Sequence, residues 1–187
     1  MQTRSGRTAS QQPRELAGLI ELLCSRGVRS YLEVGARHGD TFYEVMTSLP
    51  KGSRGVAIDL PQALWGMDSR KDLEACVAEL CDMGYDVEAV FGHSQEVSDS
   101  VLHDDFDAVL IDGDHRYHAV MADYACYGRI PLVALHDIDG HGLKYRGEHE
   151  VGVPRAWEQL KRTRKSVEFI HCDDGRPMGI GVLMEGL

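Results

Sequence analysis

Five short apolar runs recur along this chain, and each leads into a cluster of glycine, acid or histidine. Residues 30–34 run into Gly35-Ala36-Arg37-His38-Gly39-Asp40, and residues 55–59 end on Asp59. Residues 87–91 lead to Gly92-His93-Ser94, residues 106–111 to Asp112-Gly113-Asp114-His115, and residues 131–135 to His136-Asp137. Between them lie stripes at helical spacing: Leu16, Leu19, Ile20 and Leu23 with Gly27 as a stop, then residues 41–48, then Leu73, Cys76, Val77, Leu80 and Cys81. Val97 with Val101 forms a short fourth stripe, for which Ser94 is a plausible N-cap. Tyr117, Val120, Met121 and Tyr124 make the next, and residues 154–165 a last helix. Strands alternating with helices predict an α/β sandwich around a mostly parallel sheet. Two late strands, 167–170 and 178–184, have no helix between them and are expected to form an antiparallel hairpin at one edge.

The length of 187 residues suits one domain with a core of its own. Residues 1–13, polar and rich in Ser, Gln, Thr and Arg, read as a disordered tail, and residues 14–187 as the single domain. The tail lacks the apolar core of a signal peptide, and no apolar run reaches the roughly 20 residues of a membrane span. Five cysteines without a CxxC pair point to a reducing compartment and buried thiols. The expected setting is therefore cytoplasmic. With 20 basic against 30 acidic residues and a net charge of −10, the chain lacks the basic patch of a nucleic-acid binder. The run Lys161-Arg162-Thr163-Arg164-Lys165 reads as a helix end, where cations complement the dipole. An acidic balance suits a pocket for a cation or a cationic cofactor. The exposed stripes and edge strands leave self-association open.

Ligands of such sheets bind beyond the carboxyl ends of the strands, so the strand ends are the residues to interrogate. The spacing Glu33-x-Gly35-x-x-x-Gly39 lets a backbone approach a ligand ahead of a helix N-terminus. It is not the G-x-G-x-x-G of dinucleotide enzymes, since position 37 is arginine. Asp59, ending the second strand, is placed to accept both hydroxyls of a ribose. Asp112, Asp114, His115, His136 and Asp137 could form an oxygen-rich site with imidazole, of the kind that suits Mg²⁺ or Mn²⁺. The same acids could instead cap turns. Histidines are numerous, nine in all, and His118 reads as a solvated one. Tyr117, Tyr124, Tyr127 and Trp157 read as core. A loop over 138–152 carries His141, Lys144, Tyr145, Arg146 and His149 and is the expected substrate lid.

Taken together, residues 31–39, Ala57-Ile58-Asp59, Val109-Leu110-Ile111-Asp112-Gly113-Asp114-His115 and Ala134-Leu135-His136-Asp137 resemble a class I S-adenosylmethionine-dependent methyltransferase. The Ile111–His115 segment and the Leu135–Ile138 segment are similar, more narrowly, to the small bacterial methyltransferase family 24. The resemblance implies a three-layer, Rossmann-like, seven-stranded sheet in the order 3-2-1-4-5-7-6 with strand seven antiparallel. It implies that Glu33, Gly35, Ala36 and Gly39 surround the methionine part of S-adenosylmethionine, with Asp112 alongside. Asp59 would take the ribose, and His93 or Ser94 the adenine edge.

Cation-dependent O-methyltransferases hold their metal with an acid ending strand four and a pair after strand five. The matching positions are Asp112 and His136-Asp137, with His136 where those families carry an acid. His115, three residues after Asp112, stands where the catechol-type enzymes place a catalytic lysine. A histidine titrates near neutrality and can take a proton from a substrate hydroxyl, so His115 and His136 are the candidate catalytic residues. The expected activity is methyl transfer to oxygen on a small molecule. The alternatives are a non-catalytic protein of the same fold that binds S-adenosylmethionine or acts as a scaffold, an NAD-linked oxidoreductase, and an iron oxygenase using His115, His136 and Asp137.

Overall fold

The computed structural model describes residues 9, 11–60, 69–103, 105–139, 151–171 and 177–185. Helices and strands alternate as α1 (Pro13–Ser25), β1 (Ser30–Val34), α2 (Asp40–Ser48), β2 (Arg54–Asp59), α3 (Arg70–Asp82), β3 (Asp86–Phe91), α4 (Ser94–Val101) and β4 (Ala108–Ile111). The chain continues through α5 (Tyr117–Tyr127), β5 (Leu132–His136), α6 (Val153–Leu160), β6 (Lys165–Phe169) and β7 (Ile180–Met184). The strands form one seven-stranded sheet in the order β3-β2-β1-β4-β5-β7-β6. All described pairings are parallel except those of β7, which runs antiparallel to both β5 and β6.

Side-chain alternation along each strand divides the interior into two layers. Tyr31, Ala57, Ala108, Leu110 and Val182 face α1, α2 and α3, against Leu19, Phe42, Met46, Leu73 and Leu80. Leu32, Val34, Val56, Ile58, Val109, Ile111, Val133 and Leu135 face α4, α5 and α6, against Val101, Val120, Tyr127 and Trp157. The result is a three-layer αβα sandwich whose central strands are apolar on both faces, as buried parallel strands are.

Several expectations from the sequence shift. The last helix stops at Leu160 rather than at residue 165, and the cationic run leaves it at once. There, Lys161 pairs with Glu158 and with Glu168 of β6. Arg164 turns back to donate to the carbonyls of Gly128, Ile130 and Pro131. These carbonyls close the turn between α5 and β5, so the arginine binds that turn and serves no helix dipole of its own. The late strands, by contrast, pair antiparallel in the expected order, with β7 between β5 and β6 and β6 at the edge. The N-cap of α4 is His93, and Ser94 is already helical. The cysteines are not uniformly buried. Cys76 is, Cys126 is partly covered, and Cys24 and Cys81 are exposed, all four as free thiols. Tyr127 and Trp157 are core as expected, Tyr117 and Tyr124 are partly buried, and His118 is exposed. No helix among the described residues is long and apolar enough to cross a membrane.

Candidate active site

The first strand end is shaped by close backbone approach. Gly35 has φ +88°, and a Cβ there would overlap the carbonyl of Asp112. Only glycine allows the β1 and β4 ends to come so near. The amides of Gly35 and Ala36 both donate to the Ile58 carbonyl, at 2.8 and 3.1 Å, which folds the turn toward β2. Gly39, at φ +80°, is the N-cap of α2 and packs where a Cβ would meet Cys76 and Leu73. Below this turn Glu33 is 2% exposed and accepts the Tyr31 hydroxyl at 2.7 Å. Burial, with Asp112 and Asp59 adding to it against Tyr31 and His136, pushes its carboxyl up to about 8. Asp59, at the end of β2, accepts Ser69 Oγ at 3.0 Å and is only partly covered.

The ends of β4 and β5 bring together a second group. His136 Nδ1 lies 3.0 Å from Asp112 Oδ1 and 3.6 Å from Asp137 Oδ1. His115, approaching from the start of α5, sets Nδ1 3.1 Å from Asp137 Oδ2 and Nε2 3.4 Å from Asp112 Oδ1. Two carboxylates and two imidazoles thus interleave. Burial works against charge on Asp112, but His136 and His115 outweigh it and hold the carboxyl well below its ordinary range. Burial likewise disfavours a charged His136, yet Asp112 and Asp137 raise it to about 9. His115 is raised for the same reason against the same cost. Asp137 is raised chiefly by its burial, with His136 and His115 pulling the other way. Its backbone sits at φ +61°, a conformation that strains a residue with a side chain and tends to persist at functional sites.

Asp112, His136 and Asp137 each offer a ligand atom within 4.8 Å of the others, so this trio could hold a cation. His136 Nε2 and Asp137 Oδ1 are buried without a hydrogen-bond partner among the described residues. Orphaned polar atoms in a carboxylate and imidazole cluster fit a metal. The glycine turn, the Asp59 carboxylate and the buried Glu33 likewise fit a nucleoside carrying a positive charge.

Not every sequence candidate joins the cluster. Asp114 faces away and binds Arg116, accepting its backbone amide at 3.0 Å and its guanidinium. His93 is exposed at the start of α4, whereas Ser94 turns inward to donate to Asp123. The expected lid lies largely outside the described residues, His141 to His149 included.

Other residues escaped the sequence reading. Gln11, within the segment read as a tail, is 5% exposed and donates to Asp112 Oδ2 at 2.8 Å while accepting the Thr41 hydroxyl. Glu15 is fully buried and accepts the backbone amides of His171 and Gly179, both at 2.9 Å. Glu15 shares its helix face with Leu16, Leu19 and Leu23, and Asp123 shares one with Val120 and Tyr127. An acid on an apolar stripe was the available signal for both.

No protein-family profile matches the chain, and no curated protein does. Solved structures do. TomG, the O-methyltransferase of Streptomyces achromogenes involved in tomaymycin synthesis, solved with SAM, gives a TM-score of 0.71 at 18% identity, over 95% of this chain and 82% of its own. An O-methyltransferase from Bacillus cereus in complex with SAH gives 0.68 at 18%, over 97% and 86%. Rv0187 from MTB, solved with its cofactor bound, gives 0.70 at 16%, over 95% and 83%. The chain has the class I methyltransferase fold. Within that fold the Gly35 turn and the Asp112, His115, His136 and Asp137 cluster share the carboxyl edge of the sheet, where α/β proteins bind ligands.

Proposed function

We propose that this chain is an S-adenosylmethionine-dependent methyltransferase acting on a hydroxyl of a small molecule, with a divalent cation, Mg²⁺ or Mn²⁺, at the ends of β4 and β5. The observation that carries the reading is the cluster of Asp112, His115, His136 and Asp137 beside a glycine turn too tight for any side chain. The solved neighbours named as O-methyltransferases support it.

S-Adenosylmethionine would supply an electrophilic methyl group on a positively charged sulfur. Gly35, Ala36 and Gly39 let the backbone approach its methionine part, Glu33 lies beneath, and Asp59 accepts the ribose hydroxyls. His93 and Ser94 border the base. A cation held by Asp112, His136 and Asp137 would lower the pKa of the acceptor hydroxyl and orient its oxygen. His115, with a side chain 37% exposed, reaches the cleft and takes the hydroxyl proton as the oxygen attacks. Its raised pKa means that it must first shed its own proton, so turnover rises with pH through that pKa. His136, buried at 3%, faces Asp112 through Nδ1, and to hold the cation through Nε2 it would have to give up the proton that Asp112 and Asp137 favour, so cation binding would release a proton.

Calorimetric titration of the metal-stripped protein with S-adenosylmethionine, then with Mg²⁺ or Mn²⁺, tests this. Binding is expected to be lost in Asp59→Ala, and the cation heat in Asp112→Ala. Turnover is expected to fall in His115→Ala with cofactor binding kept. Cofactor binding without turnover on any hydroxyl acceptor would favour a non-catalytic binding protein of the same fold.

A further inference from the structure

Asp137 lies where a regular strand would not leave it. Side chains of β5 alternate, with Leu132 and Ala134 toward α1 and Val133 and Leu135 toward α5 and α6. His136 continues the first set, so the next residue of an unbroken strand would point to the opposite face. Yet Asp137 Oδ1 stands 3.6 Å from His136 Nδ1, and both side chains meet in one cluster. The strand register accounts for this. His136 pairs with Ile180, but beyond it the Ile138 amide donates to the Gly179 carbonyl at 3.3 Å and the Asp139 amide to that of Met178 at 2.8 Å. Two steps along the β5 side therefore match one step along β7. Asp137 is the extra residue of a β-bulge, and its φ of +61° is a left-handed backbone of the kind that bulges use. Bulges beside a site re-aim a side chain, and this one lets two consecutive residues face the same way.

Glu15 closes the ladder at the break. Fully buried on α1, it accepts the amide of Gly179, the residue facing the bulge, on one carboxylate oxygen. The other oxygen accepts the amide of His171, just past the end of β6, and both bonds are 2.9 Å. Gly179 is itself left-handed at φ +78° and packs so closely that a Cβ there would stand 2.8 Å from Ile138 Cγ1 and 3.2 Å from the Asp139 nitrogen. The bulge is thus gripped against β7, and β7 is gripped by α1.

We infer that Glu15 is a positioning residue of the candidate site: by seating Gly179 it holds the bulge that turns Asp137 to the same side as His136, so that both can face one cation. The inference rests on the cation reading above and adds to it what orients the pair. Glu15 acts through the backbone of β7 and is not itself a ligand, since both of its oxygens are taken by amides.

The test is calorimetric titration of the full chain with Mn²⁺, with S-adenosylhomocysteine as the control ligand. In Glu15→Gln an amide nitrogen faces one of the two backbone donors. Mn²⁺ affinity is expected to fall about tenfold or more, with S-adenosylhomocysteine affinity kept within about twofold. Gly179→Ala keeps the Glu15 charge but presses on Ile138, and is expected to weaken Mn²⁺ comparably. A purely structural Glu15 would lower the melting temperature and leave Mn²⁺ affinity intact, which overturns the inference. A loss in Glu15→Gln with none in Gly179→Ala makes charge the cause rather than position, and overturns it too. Amide exchange reads the bulge directly. Glu15→Gln is expected to speed exchange at Ile138 and Asp139, which Glu15 does not touch, about tenfold more than in β1. An equal change in both places overturns the inference. So do Ile138 and Asp139 amides that exchange at loop rates in the wild type, a measurement that decides alone should neither variant fold. A wild type that binds S-adenosylhomocysteine but no Mn²⁺ overturns the cation reading itself and this inference with it, an outcome seen before any variant is made.

Discussion

Glu33 shows how one buried carboxyl couples the site to the stability of the fold. Its pKa moves from an ordinary 4.5 to about 8, chiefly through burial. Between those values the folded chain keeps a proton that the unfolded chain has released, so stability falls as pH rises through the window. Glu33→Gln removes the titration and keeps an acceptor for Tyr31. The variant is expected to melt higher than the wild type at about pH 8 and to converge with it near pH 4.5, because the penalty exists only where the unfolded side chain is ionised. Thermal melts across that range check this, and a gap independent of pH would rule out the linkage. Glu15 is the opposite case, a buried acid whose oxygens are both used. Glu15→Ala strands the amides of His171 and Gly179 and should cost about 3 kcal/mol in urea unfolding. A loss within experimental error would mean that water replaces the carboxylate.

At the scale of elements, the turns after β1 and β4 depend on each other. Gly35→Ala meets both a left-handed backbone and the Asp112 carbonyl, whereas Gly27→Ala meets only the backbone term, since nothing lies within 4 Å of a Cβ there. The first substitution is expected to cost more than about 3 kcal/mol and to abolish cofactor binding, the second about 1 kcal/mol with binding kept. Chemical denaturation of the two side by side decides. Equal losses would mean that the β1 and β4 ends can move apart at little cost. The same logic explains the helix–strand boundary at residues 161–165. Arg164 leaves the helix to donate to three carbonyls of the α5–β5 turn, contacts offered by a neighbouring element and not set by local helix propensity.

For the whole molecule, the sheet is most protected at its centre and least at its edges. Strands β4 and β5 are buried throughout and β1 nearly so, whereas β3 and β6 alternate covered with open positions. Amide exchange is therefore expected to be slowest in β1, β4 and β5 and to begin in β3 and β6. The candidate clusters hang on the carboxyl ends of the slow strands, so the proposed chemistry would sit on the most protected part of the sheet. Exchange that is as fast in β4 as in β6 would contradict that picture.

Most of the architecture was legible because it follows from local period and order. Apolar runs at 30–34, 55–59, 87–91, 106–111 and 131–135 each became a strand, and strand–helix alternation admits few topologies. The strand ends named from sequence include Asp112, His115, His136 and Asp137, which do converge, since parallel strands bring their carboxyl ends to one edge whatever the side chains. What sequence could not supply was orientation and long-range pairing. Asp114 turned to Arg116, two residues away, because that partner satisfies it locally. Gln11 reached Asp112 across a separation of 101 residues, and Glu15 reached Gly179 across 164, which no local pattern encodes. The order of residues along the chain determined the sheet and the edge where chemistry would gather. Only the packed structure decided which polar groups lost their water there, and a buried donor or acceptor takes whatever partner the fold brings within reach.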